Sequence, residues 1–214
     1  MNAFDKELLK IFQSHNPNAT PDEIQKWGDS HSLWAAQNYK NSAEWIGRTF
    51  QYLDGGLNKV DYEKFIINAH GLIIDLPHFI AGKIGIFKLL GFASVSDYRN
   101  YIIQEMKNLG MKIHLLQLLE LNEVISTFAD GFTAEEIFAT TYFRNTYCHP
   151  ALSAYTVKVS SKKKGVKFNP ATYEAFRKLQ PYAEVDLCKE LFDKIAAKRG
   201  VLEKTRRLLL ALKN

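Results

Sequence analysis

The sequence predicts a mainly α protein, a helical bundle carrying one small basic β-hairpin, and three observations carry that prediction. Apolar residues recur at three- and four-residue spacing along most of the chain. Capping residues, glycines and prolines bound these periodic stretches where helices start and stop. Only the stretch after Pro150 switches to an alternation of period two.

At 214 residues, 46% hydrophobic and 24% charged, the chain can bury a sizeable core. It reads as a single domain over 1–214, with an N-terminal helical part to about residue 92 and a second part from about 93. Cys148 and Cys188 form neither a metal-ligand spacing nor a disulfide framework, which points to a reducing, cytoplasmic setting. The mixed-charge opening Met1-Asn2-Ala3-Phe4-Asp5-Lys6-Glu7 has no secretory pattern.

Residues 3–14 show helical spacing through Phe4, Leu8, Leu9, Ile11 and Phe12. Thr20-Pro21-Asp22-Glu23 is a helix start, with proline in the first turn and acids at the positive end of the dipole. That helix is expected to break at Gly28-Asp29-Ser30, and another to run from Ser42 toward Leu53. After the Asp54-Gly55-Gly56 turn a helix runs from about Val60 to Ala69. Residues 71–92 are strongly apolar, but Asp75, Pro77, His78, Lys83 and Lys88 interrupt them. A buried, irregular or short-helical core segment fits this pattern better than a membrane span.

Ser94 starts a long helical pattern toward Ile125, with Gly110 as the place where it kinks or splits. Past Pro150, Tyr155, Val157 and Val159 alternate, a lysine-rich turn follows, and Val166 and Phe168 resume, as in a β-hairpin. A short helix at 173–179, another at 185–198 and a final amphipathic helix carrying Leu202, Leu208, Leu209 and Leu210 with Lys204, Arg206 and Arg207 close the chain.

The chemistry concentrates in residues 132–150. Thr133 and Glu136 have the spacing of a capping box, and Pro150 ends the same helix by colliding with the carbonyl of Thr146. Near that end stand Arg144, Asn145 and His149. An imidazole transfers protons near neutral pH, and a guanidinium grips phosphate oxygens while staying charged. On a straight helix residues five apart diverge by about 140°. Either Pro150 turns His149 back toward Arg144, or two copies of the helix share one site.

The run Arg144-Asn145-Thr146-Tyr147-Cys148-His149 resembles the signature of the HEPN superfamily, an Arg and a His four to six residues apart with a polar residue, often Asn, directly after the Arg. The resemblance implies a HEPN-like bundle that dimerises, bringing two motifs into one cleft. It also implies a metal-independent, cofactor-free endoribonuclease of toxin or anti-phage type, in which Arg144 and His149 are the catalytic pair and Asn145 supports them. Transfer RNA is a family-typical target, and an antitoxin or other regulatory partner is implied. Ala151 stands where small HEPN toxins modified on a tyrosine carry it, so the resemblance does not extend to that regulation.

The implied reaction is attack of a ribose 2′-hydroxyl on the adjacent phosphorus, which makes RNA the substrate. Tyr142 and Tyr147 are supporting candidates, since a phenol can bond a phosphate or stack on a base. Residues 1–150 carry a charge balance of −4 and residues 151–214 one of +9. Lys162, Lys163, Lys164 and Lys167 at the hairpin, with Arg206 and Arg207, are therefore the candidate RNA contacts. His70, Asp75 and His78 match no established metal spacing, and Ala81-Gly82-Lys83 lacks the glycine of a phosphate loop. The alternative from another class is a non-catalytic HEPN-like module that binds RNA, a nucleotide or a partner protein.

Overall fold

One long helix frames the molecule. In the computed structural model, which describes residues 9–10, 13–14, 16–148 and 184–213, α1 (Pro21–Gly55) extends over 35 residues. Its start is the one the sequence announces. Thr20 Oγ1 accepts from the Glu23 amide at 3.3 Å, and the Glu23 carboxylate accepts from the Thr20 amide at 2.8 Å.

The expected break at Gly28-Asp29-Ser30 does not occur, and no new helix begins at Ser42. A mid-helix glycine costs only about 1 kcal/mol relative to alanine. The apolar stripe Ala35, Tyr39, Ala43 and Ile46, all buried, outweighs it, and Gln25 bonds Asp29 across the region at 2.8 Å. The helix ends before Gly56, whose φ of +79° suits a residue without a Cβ.

A 3₁₀ turn (Lys59–Asp61) leads into α2 (Tyr62–His70), a π-helical turn (Gly71–Asp75), α3 (Leu76–Ile84) and the single turn α4 (Ile86–Leu89). The expectation of a buried, short-helical segment here holds. The run Lys59–Ile84 is long and apolar enough to cross a membrane by composition, yet Leu72, Leu76, Ile80 and Ile84 are buried in the protein's own core.

Next come α5 (Val95–Gln104), capped by Ser94, and α6 (Leu109–Ala129). The split between them falls before Gly110 rather than at it, because Asn108 Oδ1 accepts from the Met111 amide at 3.0 Å and starts a new helix. The remaining described helices are α7 (Ala134–Cys148), α8 (Glu184–Ala197) and α9 (Arg199–Lys213). No strand occurs among the described residues. The predicted β-hairpin and the short helix at 173–179 lie outside them.

The C-terminal helix α9 lies against α1 and α6, while α2 packs on α7, α1 and α8, and α3 on α6. One apolar cluster runs from Ala35 to Leu212 and draws on both halves of the sequence. Much of the positive charge after residue 184 serves this packing. Arg199 pairs with Asp54 at 2.6 Å and Lys204 with Glu120 at 2.7 Å. Lys198 Nζ donates to the carbonyls of Thr127 and Phe128 at 3.0 and 2.9 Å, satisfying the C-terminus of α6 where the helix dipole favours a cation. Gly131 leaves the room it needs, since a Cβ there would stand 2.1 Å from Lys198 Nζ.

Candidate functional site

Helix α7 carries the Arg-Asn motif, and its start is held twice. The Glu136 carboxylate accepts from the Thr133 amide at 2.7 Å, and the Glu136 amide donates to Thr133 Oγ1 at 3.2 Å, completing the predicted capping box. Glu136 is only 3% exposed, and Lys194 of α8 reaches the same carboxylate at 2.7 Å. A buried carboxylate is tolerated when it is both paired and hydrogen-bonded, and here it is.

Ala139 and Thr140 continue the buried face, and Phe143 and Tyr147 pack against the core one and two turns further on. This spacing decides what the end of the helix shows to solvent. Arg144 is half-buried at its flank and Asn145 is exposed. Arg144 Nη1 donates to Asn145 Oδ1 at 2.9 Å, so the amide after the arginine holds one arm of the guanidinium fork. The remaining N–H groups of that fork are geometrically suited to phosphate oxygens.

Tyr147 takes a structural position. Its ring stacks on Phe143 with centroids 6.2 Å apart, and its hydroxyl donates to Glu184 Oε1 of α8. Burial, followed by the bond to the Glu184 carboxylate, raises the phenol above its ordinary range and keeps it protonated. Beneath it the buried Cys188 thiol is pushed up to about 12, chiefly by burial and then by the Glu184 charge. Tyr142 is 39% exposed and stands edge-on to Phe143, with ring centroids 5.4 Å apart.

His149 and the hairpin lysines Lys162, Lys163, Lys164 and Lys167 lie outside the described residues. Arg206 and Arg207 are exposed on α9, with the Arg206 guanidinium lying along Gly47 of α1. They do not belong to the Arg144 neighbourhood by helix packing, because α9 packs on α1 and α6 whereas α7 packs on α2 and α8. Among the described residues no three His, Cys, Asp or Glu side chains gather as metal ligands. His70 is instead buried, with Nδ1 3.1 Å from Asp75 Oδ2.

Glu184, Lys194 and Lys198 escaped sequence reading. Each acts on a partner 37 or more residues away, and no local pattern marks such a pairing. Comparison with protein-family models, with curated proteins and with solved structures finds no match to this chain.

Proposed function

We propose that the chain is a metal-independent endoribonuclease of the HEPN type, a toxin or anti-phage effector that acts as a homodimer with two motifs around one cleft. The observation that carries this reading is Arg144, half-buried in the last turns of a helix anchored at both ends, with its guanidinium held by the amide of Asn145. The arrangement matches the role that the motif assigns to the polar residue after the arginine. The exposed Arg206 and Arg207 add positive surface for a polyanion elsewhere on the bundle.

In this mechanism His149 removes the proton from a ribose 2′-hydroxyl as O2′ bonds to phosphorus. The P–O5′ bond breaks, and the departing oxygen takes a proton from the second histidine of the dimer. Arg144 stabilises the extra negative charge on the phosphoryl oxygens in the transition state. Tyr147 plays no proton-transfer part, since its hydroxyl is engaged by Glu184.

The test is cleavage of total and transfer RNA in EDTA by the purified chain, beside Arg144→Ala and His149→Ala prepared identically. Both variants are expected to lose at least about 100-fold of the rate while keeping the helical content and melting temperature. Cleavage that survives in either variant ends this reading. RNA binding without turnover in the unaltered chain favours the non-catalytic module instead.

A further inference from the structure

We infer that Tyr147 and Glu184 are positioning residues of the Arg144 motif, and that the bond between them fixes the turn of α7 on which the cleavage rate depends. The inference rests on the ribonuclease reading given above. It adds to that reading a residue of another helix, outside the motif.

Helices α7 and α8 run antiparallel and are tied at both ends. Near the start of α7 the Glu136 carboxylate meets Lys194 at 2.7 Å, and near its end the Tyr147 hydroxyl donates to Glu184 Oε1. Eleven residues of α7 and ten of α8 lie between the ties, about 16 and 15 Å of helix rise. The two pairs therefore meet in register without either helix being distorted.

Each helix places its half of the second tie by its own sequence. On α8, Glu184, Cys188, Leu191 and Ile195 follow at helical spacing along one stripe, of which the last three are fully buried and Glu184 is the polar end. Its carboxylate, in the first turn, also meets the positive end of the α8 dipole. On α7, Phe143 and Tyr147 are one turn apart, stacked at 6.2 Å between centroids and packed on the core. With the ring held there, the hydroxyl reaches Glu184. The raised phenol keeps Tyr147 a donor through the neutral range.

A hydrogen bond weakens steeply as its angle closes, so it opposes rotation of α7 about its axis, whereas apolar contacts are non-directional. Arg144 stands three residues before Tyr147, within the same turn. Rotation at one is rotation at the other. Further support in that turn is scarce, since Pro150 has no N–H for the Thr146 carbonyl, and Asn145 and Cys148 are exposed. A reacting group misplaced by about 1 Å loses on the order of 100-fold in rate. The Tyr147–Glu184 bond thus acts through Arg144 and touches no substrate itself.

The test is steady-state cleavage of RNA in EDTA by the full chain and by Tyr147→Phe, Glu184→Ala, Glu184→Gln, Lys194→Ala and Arg144→Ala, with urea midpoints taken on the same preparations. Tyr147→Phe leaves the charge as it was, and is expected to lose at least about tenfold in kcat with KM unchanged. Glu184→Ala should lose as much. Glu184→Gln still offers an amide oxygen to the phenol and should restore most of the rate. Lys194→Ala removes the tie remote from Arg144 while the capping box still holds the start of α7. It is expected to lower the urea midpoint at least as far as Tyr147→Phe does and to keep kcat. Full-rate cleavage by Tyr147→Phe beside an inactive Arg144→Ala would overturn this inference alone. So would Glu184→Gln as slow as Glu184→Ala, or a rate that merely follows stability and falls equally in Lys194→Ala. Absence of cleavage by the unaltered chain would end the ribonuclease reading and this inference with it.

Discussion

Tyr147 of α7 donates its hydroxyl hydrogen to Glu184 of α8, tying the last turn of the motif helix to the C-terminal pair of helices. The phenol that sequence reading offered as a phosphate ligand thus has a partner inside the chain. Tyr147→Phe keeps the ring stacked on Phe143 and removes only that bond. The expected cost is about 1 kcal/mol, read as a lowered urea midpoint with an unchanged slope.

The same corner fixes an alkaline limit. Burial holds the Cys188 thiol neutral up to about 12 and raises the Tyr147 phenol, so the unfolded chain releases both protons at lower pH than the folded one. Stability from these groups is complete below the ordinary thiol value of about 8.5 and is lost as pH rises above it toward the folded values. Urea midpoints measured from about pH 8 to about pH 11 should therefore fall steadily. Cys188→Ala with Tyr147→Phe should flatten that slope.

Exposure separates the two thiols. Cys148 is exposed at the end of α7 and Cys188 is fully buried in α8. A thiol reagent at pH 8 should modify Cys148 rapidly, and Cys188 only when denaturant is added. Peptide mapping after brief labelling checks this.

Gly71 is a packing requirement of the π-helical turn. A methyl there would stand 2.7 Å from the Trp45 ring, a rigid group that cannot step aside as a lysine tip can. Gly71→Ala should cost about 1–3 kcal/mol through overpacking, and turning the indole should shift the tryptophan emission. Gly131→Ala offers the contrast. Its methyl displaces only the end of Lys198, so the loss is the capping of α6, about 1 kcal/mol.

The capping box of Thr133 with Glu136 was legible in the sequence, because the two satisfy each other within one turn, and so was the helix start at Thr20, where the structure adds the reciprocal bonds with Glu23. The short-helical character of 71–92 was legible too, since charges and Pro77 interrupt its apolar run. The uninterrupted passage of α1 through Gly28 was not. A glycine's local cost is visible in sequence, while the buried stripe of Tyr39 and Ile46 that outweighs it depends on α2, α3 and α9 arriving from elsewhere. The same limit hid the second partner of Glu136, which Lys194 supplies from 58 residues away. It also hid the structural use of Lys198, Arg199 and Lys204, which sequence counted only as basic character. At the candidate site the motif order was visible, whereas the bond that lets Asn145 hold the Arg144 guanidinium depends on side-chain geometry at the helix end.

The most direct measurement is analysis of the ends left on RNA cut by the purified chain in EDTA, with the Arg144→Ala protein as the parallel control. Attack by the 2′-hydroxyl leaves 2′,3′-cyclic phosphate and 5′-hydroxyl ends, and makes no cut at a site where a single 2′-deoxy nucleotide replaces the attacking ribose. Fragments with 3′-hydroxyl and 5′-phosphate ends, cleavage at the 2′-deoxy site, or equal cutting by Arg144→Ala would contradict it.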